Sequence, residues 1–123
     1  MKWILAILIA IIVYMVITRF MQKKNLKTLT EEEFRAGYRK AQLIDVREPN
    51  DFDNGHILGA RNIPVSQLKM RIKEIRKDQP VYLYDYNGMI VARAASIFRK
   101  HDIKDLYQLK GGFKKWGGKV KKK

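Results

Sequence analysis

The sequence predicts an α/β fold, a parallel sheet covered by helices on both faces, preceded by one apolar helix that reaches the length of a membrane span. Three observations carry this. Short β-favouring runs alternate with helically spaced apolar residues, the pattern of strands joined by crossover helices. Residues 80–100, PVYLYDYNGMIVARAASIFRK, pass from an apolar run to a polar loop and straight into a helical pattern. Residues 3–18, WILAILIAIIVYMVIT, contain no charge, glycine or proline.

The apolar run comes first in the chain. Extended through Phe20 and Met21 it reaches the lower end of the roughly 17–25 residues a span requires, with Lys2 and Arg19 able to snorkel. A cleavable signal peptide is the rival reading, but Tyr14, Met15, Val16, Ile17 and Thr18 offer no small-residue cleavage site. A buried soluble helix is the third reading, and it sits poorly with a segment apolar on every face. Lys2 alone precedes the run, whereas Arg19, Lys23, Lys24 and Lys27 follow it before the first acid, Glu31. The positive-inside rule therefore places the following domain in the cytoplasm, on a single-pass protein of the cell membrane. The expected layout is a transmembrane anchor over 1–22, a folded domain over 23–118 and a basic tail over 119–123.

Within the domain, residues 26–29 read as a short edge strand. Thr30 and Glu33 have capping-box spacing, and Phe34 and Tyr38 give the helix from Glu31 to about Lys40 an apolar stripe. QLIDV at 42–46 is the next strand, ended at Pro49, which cannot continue a ladder. Asn54-Gly55 marks a turn, and Asn62-Ile63-Pro64 closes another short strand. Ser66 then caps a helix bearing Leu68, Ile72 and Ile75 on one side. VYLY at 81–84 is the central strand, and Val91, Ala94, Ala95 and Phe98 recur as one helical face. DLYQL at 105–109 is the last strand, Gly111-Gly112 a turn, and 113–116 a short helical turn. The loop 85–90 thus lies at the carboxyl end of a strand and the amino end of a helix, where free N–H groups favour an anion and α/β folds place ligands.

Composition narrows the chemistry. None of the 123 residues is cysteine, which excludes disulfides, thiolate metal sites and cysteine nucleophiles. The formal charge of +14 argues for an anionic neighbour or for a solvated basic surface. The tail 110–123 has seven lysines and no acid. By itself this is a frayed terminus; beside a membrane anchor it is drawn to anionic lipid headgroups. No nucleic-acid partner is expected, since no reading motif or aromatic platform accompanies the charge.

Two stretches, LIDVREPNDFDNGHILGARNIP at 43–64 and LKGGFKKWGG at 109–118, together resemble the rhodanese homology domain. The first matches that family's IDVR, GHI, GA and NIP elements in order. The resemblance covers residues 26–118 and implies a three-layer sandwich around a parallel sheet. It also implies that the loop 85–90 stands where the family carries a cysteine, which takes up sulfane sulfur as a persulfide, and a closing arginine. Aligned on Gly88 and on Ala92, Ala94 and Ala95, the cysteine position is Asp85 and the arginine position is Ile90. Arg93, the nearest arginine, falls in the helix.

The site expected from this alignment is Asp85, Tyr86, Asn87, Gly88, Met89 and Ile90, supported by Asp45, Arg47 and His56. A carboxylate cannot hold a sulfane atom, so no sulfur transfer is expected from Asp85. Its carboxylate is expected to fold into the loop's N–H groups as a cap, giving the site its own anion and repelling anionic substrates. An aspartyl-phosphate role would need Mg²⁺ and further acids that the loop lacks. Asp45, Arg47 and His56 are expected to organise loops rather than react. No cofactor or metal is expected. The reading is of a catalytically inactive cytoplasmic binding or regulatory module with an unidentified protein partner; the alternatives are an enzyme of altered chemistry at the Asp85 loop and a structural partner in a membrane complex.

Overall fold

A computed structural model describes residues 1–122, with side chains described for all of these except 20–25. The charges of Lys23, Lys24 and Lys123 lie outside what is described. The apolar run forms helix α1, Lys2–Asn25. Its segment Lys2–Arg19 is long and apolar enough to cross a membrane, and none of that segment is buried.

Strand β1, Leu26–Leu29, follows α1 without a loop. Helix α2, Glu31–Gly37, begins in the expected capping box: the Glu33 N–H donates to the Thr30 hydroxyl at 3.3 Å and the Thr30 N–H to Glu33 Oε1 at 3.1 Å. The Thr30 backbone N–H foremost, and then the Thr30 hydroxyl, lower the Glu33 carboxyl below its ordinary pKa. The α-helix stops at Gly37 and the chain tightens into a single 3-10 turn, Tyr38–Lys40.

Four further strands, β2 (Gln42–Asp45), β4 (Arg61–Asn62), β5 (Val81–Tyr84) and β6 (Leu106–Leu109), join β1 in one sheet. Its order is β1-β6-β5-β2-β4, and every pair is parallel. β5 is central and β1 lies on an edge, as expected. Alternation along the strands divides the core in two. Ile44, Val81, Leu83 and Leu106 point to one face, where Ala94, Ala95 and Phe98 of helix α4, Val91–Lys100, pack on them. Leu43, Tyr84 and Leu109 point to the other, against Phe34 and Tyr38.

Three expectations are corrected. β2 stops at Asp45, before Pro49, which instead opens a short helix, α3 (Pro49–Asn54), as its first residue, where a missing N–H costs nothing. The helix expected from Ser66 is instead two 3-10 turns, Val65–Gln67 and Ile72–Glu74, the first entered from Pro64 with Ser66 inside it. Arg71 donates to Glu74 Oε2 at 2.7 Å within this stretch and to the Asn62 carbonyl at 3.1 Å outside it, and the tie to Asn62 holds the chain in a path that the helical spacing of Leu68, Ile72 and Ile75 does not follow. β6 is not the last strand: the tail, through Lys121, forms β7 (Val120–Lys121), which pairs antiparallel with β3 (His56–Ile57) rather than fraying.

Candidate functional site

The loop 85–90 leaves the carboxyl end of β5, the middle strand, and feeds α4. Asp85 is 1% exposed, and its carboxylate turns back into the loop it begins. Oδ1 accepts the Gly88 N–H, while Oδ2 accepts the Ile90 N–H at 2.5 Å and the Val91 N–H at 3.1 Å. Ile90 occupies the N-cap position of α4 with no side chain capping it. The capping oxygen is supplied from five residues upstream, so Asp85 performs a cap's work without standing at the cap position. Gly88, at φ 92°, provides the left-handed corner that lets the loop close around the carboxylate. Asn87 Oδ1 accepts the Met89 N–H at 3.1 Å.

The outer side of the loop is clasped by the turn after β6. The Phe113 N–H donates to the Asp85 carbonyl and the Lys114 N–H to the Tyr86 carbonyl, each at 2.8 Å. Gly112 makes this approach possible: a Cβ there would lie 2.6 Å from the Tyr86 carbonyl, and its φ is 69°.

Asp45 and Arg47 form a buried pair beneath the loop. The guanidinium donates to Asp45 Oδ2 from Nη2 at 2.7 Å and from Nε at 3.1 Å, and to the Gly55 carbonyl at 2.7 Å. It lies 4.4 Å from the centroid of the Phe113 ring. Burial works against the Arg47 charge, but the hydrogen bonds and proximity of Asp45 outweigh it and leave the pKa above the ordinary arginine value. Tyr84 accepts the Ile57 N–H at 3.0 Å, and burial, with Asp45 nearby, holds its hydroxyl neutral far above the ordinary range. His56 stands apart from the loop. Its Nδ1 donates to the Phe52 carbonyl at 2.7 Å, and its ring stacks on Phe52 at 3.6 Å. All three supporting residues are thus bonded into the scaffold.

A cleft of about 420 Å³ opens beside the loop, lined by Arg47, Asp51, Asn54, Gly55, Tyr86 and Phe113. Of these, Asp51 and Asn54 escaped the sequence reading, because α3, which carries them, was read as a strand end and a turn. Phe113 was read only as part of a short helical turn. Tyr86, Met89 and Ile90 expose 53%, 80% and 44% of their surface around the loop, an apolar rim where a bound anion would need a cation. Among the described residues every buried side-chain nitrogen and oxygen has a partner, and no cluster of three His, Asp or Glu is placed to hold a metal.

A parallel sheet sandwiched between helices, with a loop that curls at the carboxyl end of its middle strand onto the start of a helix, is the architecture of the rhodanese-like domain. Residues 30–119 match that family's model, and the chain belongs to the family. Among its relatives is the uncharacterized protein YqhL of Bacillus subtilis, 63% identical over 120 residues that span 98% of this chain and 95% of that one. The thiosulfate sulfurtransferase GlpE of Shewanella oneidensis is 35% identical over 78 residues, 63% of this chain and 77% of that protein. The crystal structure of a thiosulfate sulfurtransferase from Pseudomonas aeruginosa superposes with a TM-score of 0.67 at 30% identity, over 77% of this chain and 20% of that one. The chain is therefore related to sulfurtransferases, and it contains no cysteine.

Proposed function

We propose that this protein is a membrane-anchored rhodanese-like domain that serves as a cytoplasmic binding or regulatory module and does not transfer sulfur. The observation that carries the reading is the Asp85 carboxylate, buried in the loop and bonded to the N–H groups of Gly88, Ile90 and Val91. A persulfide-forming site uses such donors to stabilise negative charge that arrives with the substrate. Here the charge is built in, so a thiosulfate or phosphate would have to displace a tethered carboxylate with no cation within residues 85–90 to receive it. The nucleophile is missing as well, because a carboxylate attacks sulfur poorly and leaves no stable sulfane adduct. What the loop offers is shape and an apolar rim, the features of a surface that binds protein.

The membrane reading draws on α1 and on the cations that follow it in sequence. With the five strands parallel, the chain enters the sheet from the anchor at the amino ends of the strands and the loop opens at their carboxyl ends, so a partner would meet the loop from the cytoplasm.

The test is sulfur transfer from thiosulfate to cyanide by the full chain in detergent micelles. No thiocyanate above the buffer rate is expected. Turnover that survives repurification and disappears in Asp85→Ala would overturn the reading and point to an enzyme of altered chemistry.

A further inference from the structure

Because the five strands are parallel, the segments 37–41, 71–80 and 98–105, which lead into β2, β5 and β6, gather at the amino ends of the strands, the edge of the domain where α1 hands over to β1. These segments hold nine Lys or Arg against four Asp or Glu. Those that leave the sheet at the carboxyl ends of its strands, 30–33, 46–55, 63–70, 85–90 and 110–115, hold five against seven. The domain is polarised along its strands, positive at the tethered edge.

A cleft of about 450 Å³ opens at that edge between the stretch before β5 and the turn after α4. Lys73, Lys77, Lys100 and His101 line it and are exposed, whereas Ile75 and Ile103 in its floor are 5% and 2% exposed. Ile75 and Ile103 belong to the buried cluster on which Ile72, also lining the cleft, and Leu26 pack. The one acid in the lining, Asp102, lies 3.7 Å from Lys104. Ammonium groups over an apolar floor suit an amphiphile with an anionic head, because the stems and the floor accept hydrocarbon while the charges take the phosphate. The lining has no Phe, Tyr or Trp ring to serve as a stacking platform for a nucleobase.

We infer, on the reading of α1 as a membrane anchor, that this cleft seats the headgroup of an anionic phospholipid from the same bilayer. Lys73, Lys77 and Lys100 meet the phosphate, and Ile72 meets the upper part of the acyl chain. Six residues separate Arg19 from Leu26, at most about 20 Å of chain, so the bilayer surface lies within about two Debye lengths of this edge. The tether makes the encounter intramolecular and raises the effective lipid concentration. A lipid seated here holds the strands upright on the membrane and turns the loop 85–90 away from it.

The test uses the full chain in vesicles of phosphatidylcholine alone or of phosphatidylcholine with phosphatidylglycerol, read by backbone hydrogen exchange. Phosphatidylglycerol is expected to slow exchange several-fold in 71–77 and 100–103. The triple variant Lys73→Glu, Lys77→Glu, Lys100→Glu should lose that protection, and the matched tail variant Lys119→Glu, Lys121→Glu, Lys122→Glu should keep it. Equal exchange in the two lipids overturns the inference, as does equal loss in both variants, which would mean diffuse attraction. Inorganic phosphate giving the same protection in phosphatidylcholine vesicles overturns it too, because the cleft would then be a general anion site. Should the reversals unfold the domain, seen as fast exchange in β5, the same lysines changed to Met carry the same test. Flotation in alkaline carbonate reads the anchor separately. A chain that floats with both vesicles but shows no lipid-dependent protection overturns the cleft alone; one that floats with neither overturns the anchor and the cleft together.

Discussion

Replacing Asp85 by Ala removes the acceptor of three N–H groups at once. Gly88 and Ile90 lie where water can reach them, so their donors find new partners cheaply. Val91 is 1% exposed, and its N–H is stranded. Losing a helix cap costs about 0.5–2 kcal/mol, and a buried donor without a partner costs about 1–3 kcal/mol. One cap and one stranded donor together place the expectation at about 2–3 kcal/mol, or a fall of roughly 10–20 °C in the unfolding midpoint of a domain this size. Asp85→Asn should cost a similar amount, since its amide turns an NH₂ against donors on one side of the loop. Urea unfolding can be followed at Trp116, which packs edge-on to Phe34 and Tyr38. The other tryptophan, Trp3, is changed to Phe as background. An Ala variant as stable as the parent, or more so, would refute the capping role, because it is reacting charges that are held at a cost to stability.

Three further outcomes are expected. Asp85→Cys with Ile90→Arg supplies a thiolate at a helix start and a counter-charge, so incubation with thiosulfate should release sulfite and leave one extra sulfur on the protein by mass spectrometry; a folded double variant that never gains this mass would mean that the loop's backbone has diverged as well. Arg47→Met leaves the Asp45 charge buried alone and should cost about 3–5 kcal/mol in urea unfolding, with Asp45→Asn added to it restoring part of the loss; a double variant no more stable than the single would contradict this. The raised pKa of Tyr84 adds stability that is complete below the unfolded chain's value near about 10 and fades as the pH rises from there toward the higher folded value. Tyr84→Phe should therefore flatten the alkaline limb of the stability curve, and an unchanged slope would show that other groups set it.

The core was legible where local chemistry and tertiary demand agree. Thr30 and Glu33 specify a helix start whatever packs on them, and VYLY between polar flanks has nowhere to go but the middle of a sheet. The carboxylate at the loop's start was legible too, since a strand running directly into a helix leaves donors that some group must satisfy. The reach of that carboxylate was not, because it depends on how Gly88 turns the backbone. The stretch 66–75 misled because its spacing is helical while Arg71 is bonded to the Asn62 carbonyl, a partner that no periodicity reveals. β7 is two residues long, among lysines, and has no alternation to betray it; only the presence of His56-Ile57 beside it makes it a strand. The cleft beside the loop was half visible, since Arg47 and Tyr86 were singled out, whereas Asp51 and Asn54 belong to a helix read as a turn.

The clasp that holds the loop from outside bears on when the site can come into being. Phe113 and Lys114 grip the carbonyls of Asp85 and Tyr86, and the sheet neighbour of β1 is β6, about eighty residues further along. During synthesis the chain emerges amino end first. Helix α1 is therefore complete while β1, next to it, still waits for its pairing strand, and the loop waits for a turn made later still. A nascent chain that stops short of Gly112 contains every residue of the loop but lacks the clasp that shapes it.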